Sequence, residues 1–174
     1  MMIVKLNTNK IKKETLGLFL LFVFFINGCG IYSMSGVNTT AKTATVKYFP
    51  NKARIVAPIL SQVFTEKLQD KLTRETNLEL VNEQADLNFS GSITRYAVQP
   101  VASGSNDIAD LSRLTIGVQV KFSNVLTSEE WSSDFSRYAD FDKAVNLKDV
   151  EDGLIDEISQ QLVDDIFNKA LVNW

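Results

Sequence analysis

Seven carboxylates stand close together near the end of the chain: Asp149, Glu151, Asp152, Asp156, Glu157, Asp164 and Asp165. Acids grouped in this way could hold a metal ion or share acid–base work, provided that they meet in a desolvated cleft that shifts a carboxyl toward neutral pH. Most of these are sequence neighbours or lie off an apolar helical stripe, so they read as a solvated face. Two Gly-containing stretches, SGS at 90–92 and SGSND at 103–107, lack the strand, Gly-rich loop, Lys and helix of a phosphate cradle. The 174 residues contain no His and a single Cys. Ser-His-Asp and Cys-His nucleophilic sites are therefore excluded, as are His-ligated zinc or haem, intrachain disulfides and CxxC redox chemistry. No catalytic residue, metal site or cofactor is implied, and the reading is of a non-enzyme.

The one Cys has a different chemistry open to it. Lys5, Lys10, Lys12 and Lys13 precede the apolar run Leu16–Ile26, LGLFLLFVFFI. Eleven residues rise ~16 Å as a helix, about half of a bilayer core, so the segment fits a secretory signal peptide and not a spanning helix. The run ends in Ile26-Asn27-Gly28-Cys29, which resembles the lipobox of bacterial lipoproteins, where cleavage before the cysteine leaves it lipidated at the new N-terminus. An ordinary signal peptide with an accidental Cys is the alternative. Against it, a short apolar run, Gly28 before the cleavage point and the only Cys coincide. The expected organisation is a signal peptide over 1–28 cleaved between Gly28 and Cys29, a lipidated N-terminus and tether over 29–42, and a folded domain over 43–174.

Without residues 1–28 the chain loses four Lys and one Glu, leaving 14 basic against 20 acidic residues, a net charge of −6. Such a balance gives no bulk attraction to nucleic acid or to anionic lipid, so membrane attachment is expected through the N-terminal lipid alone. Each buried CH₂ of an acyl chain contributes about 0.8 kcal/mol, so two or three chains hold firmly. Gly30 replaces the Asp that in lipoprotein sorting marks inner-membrane retention, and no acidic cluster follows it. Both features point to the periplasmic side of the outer membrane.

The folded part must be built from few elements. TATVKYF at 43–49 is β-branched and aromatic, with Ala44, Val46 and Tyr48 expected on one side. After Pro58, Leu60, Val63, Phe64, Leu68 and Leu72 recur at helical spacing, predicting a helix over about 58–76. LELV at 78–81 reads as a short extended segment. Two long strands follow, at 87–99 and 112–125. In the first, Leu87, Phe89 and Ile93 alternate and the phase then shifts to Tyr96 and Val98, predicting a bulge near Arg95. In the second, Leu114, Ile116, Val118, Val120 and Phe122 alternate with polar residues, the pattern of a sheet covered on one side. A polar hairpin loop is expected over 100–111 and a further strand over about 130–138. From Leu147 to Trp174, apolar residues at 147, 150, 154, 158, 162, 166 and 170 predict a long closing helix. The expected fold class is α+β, a two-layer sandwich: a four-stranded, mainly antiparallel or mixed sheet with two helices packed on one face. Its open face is expected to carry Arg113, Gln119 and Lys121, with Arg95 and Arg137 on neighbouring strands.

In this order the elements resemble the LptE family, the outer-membrane lipoproteins of lipopolysaccharide assembly, and are similar to its Bacteroidetes forms. The resemblance runs from Cys29-Gly30-Ile31-Tyr32 through TVKYFPN, LSQVFTEKLQDKLTRETNLELV, LNFSGSITRYAV, RLTIGVQVKFSN and FSRYADFD to VEDGLIDEISQQLVDDIFNKALVNW. It implies a plug inside an LptD-like β-barrel that helps the barrel assemble and binds lipopolysaccharide during insertion. It also implies basic contacts in the long hairpin and just before the last helix. Lys148 and Lys143 match the second location and Arg113 stands at the end of the first, whose loop carries Asp107 and Asp110. A rival class is a periplasmic lipoprotein that carries or senses lipid without a barrel partner, which a pocket lined by Phe122, Trp131 and Phe135 would favour. The alternation itself is testable by thermal unfolding: Val118→Asp should abolish folding, whereas Gln119→Asp should leave the Tm nearly unchanged.

Overall fold

The computed structural model describes residues 39–101 and 111–172. The elements are β1 (Thr43–Val46), α1 (Leu60–Glu75), β2 (Glu79–Leu80), β3 (Leu87–Val101), β4 (Leu111–Asn124), β5 (Glu129–Asp142) and α2 (Leu147–Phe167), which runs into a π-helical turn (Asn168–Val172). The sheet has five strands in the order β2-β1-β3-β4-β5, one more than expected. The extended segment after α1 supplies the extra strand, pairing in parallel with β1 through Thr43↔Glu79 and Ala44↔Leu80. β1 is also parallel to β3, while β3, β4 and β5 form an antiparallel meander.

β4 lies between β3 and β5 and sets the phase of both. Leu114, Ile116, Val118 and Val120 are all fully buried, and each such side chain contributes about 1.5–3 kcal/mol. Leu60, Phe64, Leu68 and Leu72 of α1 and Ile155, Ile158, Leu162 and Ile166 of α2 complete the core with no exposed surface. Both helices thus cover one face of the sheet. The register of β3 on β4 slips between Ile93 and Arg95, where the sequence pattern changed phase. That extra residue is what brings Tyr96, 5% exposed, back to the core side. The Tyr96 hydroxyl then donates to Glu151 Oε1 in the first turns of α2, at 2.5 Å, which ties the bulge to the helix.

Three local expectations are corrected. β1 stops at Val46, so Tyr48 is exposed and Phe49 is the buried residue. Pro50 has no N–H for a ladder, and beyond Val46 the chain follows β3 only through single bonds and the isolated bridge of Asn51 to Ile93. The Phe49 amide donates to Thr65 Oγ1 of α1 at 3.1 Å, and its ring meets Phe64 edge-on at 5.0 Å. α2 ends as an α-helix at Phe167, and Asn173 and Trp174 lie outside the described residues, as does most of the hairpin loop. β5 is longer than its aromatic pattern suggested, because β4 offers it a partner along its whole length.

Two glycines differ in what a methyl group would meet. A Cβ at Gly91 would run into the Gln119 carbonyl oxygen and the Phe49 ring, whereas Gly153 of α2 has open space around it. Gly91→Ala should lower stability by about 1–3 kcal/mol. Gly153→Ala should raise it by about 1 kcal/mol, the helix-propensity difference. Urea unfolding of both variants checks the pair.

Candidate functional site

Cys29 and Gly28 lie outside the described residues. The three basic residues expected to contact glycolipid gather at one end of the sheet. Leu111, where β4 begins, pairs with Asp142, where β5 ends. Arg113 lies two residues into β4, and Lys143 and Lys148 occupy the passage from β5 into α2. Their chemical situations differ. Arg113 is committed: its Nε and one terminal nitrogen donate to the two carboxylate oxygens of Asp140 at 2.6 and 2.8 Å. Its guanidinium also stacks 3.6 Å from the centre of the Tyr138 ring. Lys148 is exposed, and its backbone amide donates to the Asn146 side chain that caps α2. A cation in the first turn faces the positive end of the helix dipole, and Asp149 in the same turn supplies a compensating negative charge. Lys143 is exposed in the same passage.

The uncovered face of the sheet is a second cationic surface. Rows Asn88–Ser123–Glu130 and Ser90–Lys121–Ser132 run side by side across β3, β4 and β5. With Lys47 they line an open groove of about 540 Å³. Phe89, Phe122 and Trp131 form the intervening row and point to the helix side, where ring centres lie 5.0 and 5.1 Å apart. Phe135 continues that row at 6.1 Å from Trp131. These aromatics pack on one another, and Phe89, Phe122 and Trp131 also line the groove beside its hydroxyls, amide and charges, while Phe135 does not. Of the cations expected on this face, Arg95, Arg113 and Lys121 are there. Arg137 is not: it shares the helix side with Phe135 and binds Asp165 of α2 through two hydrogen bonds of 2.6 Å. Period-two alternation places it there, a position usually given to an apolar residue. Lys47 and Arg54 were not singled out from the sequence: Lys47 stood among the polar positions of the 43–49 strand, and Arg54 lies in chain without a repeating pattern.

A family model described as lipopolysaccharide assembly, LptE, matches residues 41–170, essentially the whole domain just described. The chain belongs to the LptE family. No curated protein sequence matches it significantly. Among solved structures, a DUF330 protein from Xanthomonas campestris superposes with a TM-score of 0.57 at 9% identity, over 79% of this chain and 88% of the other. A hypothetical protein from Chlamydia trachomatis gives 0.51 at 10% identity, over 74% and 94%. At such identities the likeness is one of fold.

In this LptE-family domain the carboxylates of α2 serve the packing of its elements. Lys67 of α1 meets Asp156 at 2.8 Å, Lys71 meets Asp164 at 2.8 Å, and Arg137 of β5 meets Asp165. Burial pulls the Lys71 ammonium down, but its bonds to Asp164 and Glu75 outweigh this and leave it above the ordinary lysine value. Among the described residues no group of three or more His, Cys, Asp or Glu could hold a metal ion. None of the described helices is long and apolar enough to cross a membrane.

The hydrogen bonds from Arg113 hold the Asp140 carboxyl below its ordinary value. A depressed carboxyl contributes stability that is complete above its unfolded pKa and is lost as pH falls through the folded value. Arg113→Ala should therefore weaken the acid-side fall in Tm below the ordinary carboxylate range. At neutral pH it should lower the Tm modestly, since an exposed pair is screened, and at the acid end the two proteins should converge. Melting curves of both proteins from about pH 7 to about pH 2 test this.

Proposed function

We propose that this chain is a non-enzymatic outer-membrane lipoprotein that plugs an LptD-like β-barrel, helps it assemble and assists insertion of lipopolysaccharide into the outer leaflet. The observation that carries the reading is the family match over the entire folded domain. The N-terminal sequence agrees with it: a signal peptide over 1–28, cleavage between Gly28 and Cys29, and acylation of Cys29. The folded domain then hangs from a lipid through the tether 29–42 on the periplasmic side, and the domain follows from 43 to 174. A sandwich with both helices on one sheet face and polar and charged side chains on the other suits a plug, whose outer surface must meet a polar barrel lumen.

The same reading ranks the basic contacts. Lys148 is the first choice for a lipopolysaccharide phosphate, since it is exposed at the start of α2 and has no ion pair among the described residues. Lys143 lies beside it in sequence. Arg113 is the weakest of the three, because taking up a phosphate would mean giving up Asp140 and leaving that carboxylate beside the incoming anion.

Affinity purification of the tagged, lipidated protein from mildly solubilised outer membranes should recover a large β-barrel in a one-to-one complex. Recovery of the lipoprotein alone, or with lipid only, would replace the plug with a free lipid-carrying lipoprotein. Cys29→Ser should abolish incorporation of labelled palmitate and release the protein from the membrane. Lys148→Glu should reduce co-purified lipopolysaccharide more than Arg113→Glu does.

A further inference from the structure

The two long sides of the sheet are protected very differently. On the β5 side the strand carries Glu129, Glu130, Asp134, Asp140 and Asp142, and it turns the charged Arg137 inward onto Asp165. Charges of this kind along an edge, including inward-pointing ones, repel an incoming strand. The other side is covered only in part. β1 pairs with β3 from Leu87 to Phe89. The chain after it carries the ladder as far as Ile93, whose amide donates to the Pro50 carbonyl at 3.0 Å and whose carbonyl accepts from the Lys52 amide at 2.8 Å. Beyond the bulge, from Arg95 onward, only β4 lies beside β3. Its outer edge there has no backbone partner among the described residues.

A groove of about 320 Å³ runs along this bare edge, between Arg54 and Ile55 on one side and residues 94–99 on the other. Arg54 and Arg95 make no ion pair among the described residues, and Ile55 and Val98 are 52% and 39% exposed. The stretch Arg95–Gln99 contains no carboxylate. Unpaired strand N–H and C=O groups are satisfied by another extended backbone, and the side chains around them select which one. Two cations without partners select a carboxylate-bearing segment. A second copy of this edge is a poor occupant, because the stretch Arg95–Gln99 has no carboxylate to offer Arg54 and Arg95. Pro100 offers no N–H, which ends the usable edge at Gln99.

We infer that the β3 edge from Arg95 to Gln99 receives an extended, acidic segment of the barrel partner, which adds to the sheet as a sixth strand with its carboxylates toward Arg54 and Arg95. The inference rests on the plug reading and names its mode of docking. It is tested on the tagged, lipidated full-length protein, purified with its partner from outer membranes. The wild type should bring down the barrel, and in that complex the backbone amides of 95–99 should exchange with solvent more slowly than in the protein alone. Arg54→Glu combined with Arg95→Glu should reduce co-purified barrel about tenfold while leaving the Tm of the lipoprotein unchanged. Val98→Pro should do the same; if it melts early, the double charge reversal and the exchange measurement decide. Full recovery of the barrel by the double variant, with exchange at 95–99 the same in the complex as in the free protein, overturns the edge-docking inference and leaves the plug standing. A wild-type preparation that contains no barrel overturns both.

Discussion

Burial of one face of β4 is the constraint on which the remaining structure depends. Leu114, Ile116, Val118 and Val120 lose all contact with solvent, and their alternation determines which residues of β3 and β5 share that side. Where β3 could not keep step, a bulge between Ile93 and Arg95 restores the match. Without it, every later residue of β3 would be turned to the wrong face. The same register that buries Tyr96 directs Arg95 outward and, among the described residues, leaves the outer edge of the strand without a neighbour beyond the reach of residues 50–52. Packing and exposed chemistry thus have a common origin at that single extra residue.

Charge is distributed by the same logic. On the helix side the cations Lys67, Lys71 and Arg137 are matched by Asp156, Asp164 and Asp165, so the acidic run in α2 is largely a means of joining α1, α2 and β5. On the uncovered face and at the β3 edge, Lys47, Lys121, Arg54 and Arg95 have no such partners among the described residues. An acidic protein that leaves particular cations unmatched has a surface suited to anionic groups of a partner, whether carboxylates of a protein or phosphates of a glycolipid. Arg113 shows the contrast, since its fork is already filled by Asp140 and its face by Tyr138.

Much of the architecture was legible from periodicity. The helical spacing of Leu60, Phe64, Leu68 and Leu72, the stripe from Leu154 to Ala170, and the alternation along β4 all correspond to buried faces. The bulge near Arg95 was visible as a phase change. The failures have local physical causes. Tyr48 and Phe49 exchanged roles because regular pairing ends at Val46 and the Phe49 amide turns to Thr65. β2 was too short, at two residues, for any period to declare it a strand. Arg137 was assigned to the open face because its charge was read before its register.

The sequence by itself determined the fold class, the covered face, the place of the bulge and the family, since each of these is written in local spacing or in the order of collinear segments. Only the tertiary structure decided which ionisable groups are partnered. Arg113 and Asp140 are 27 residues apart and Arg137 and Asp165 are 28 apart, and their meeting depends on strand register and helix placement that no local pattern encodes. The bare β3 edge is likewise a matter of where β1 and residues 50–52 stop, a property of neighbours in space. Spacing along the chain reports what is buried; what remains free to bind is settled only when every potential partner has been placed.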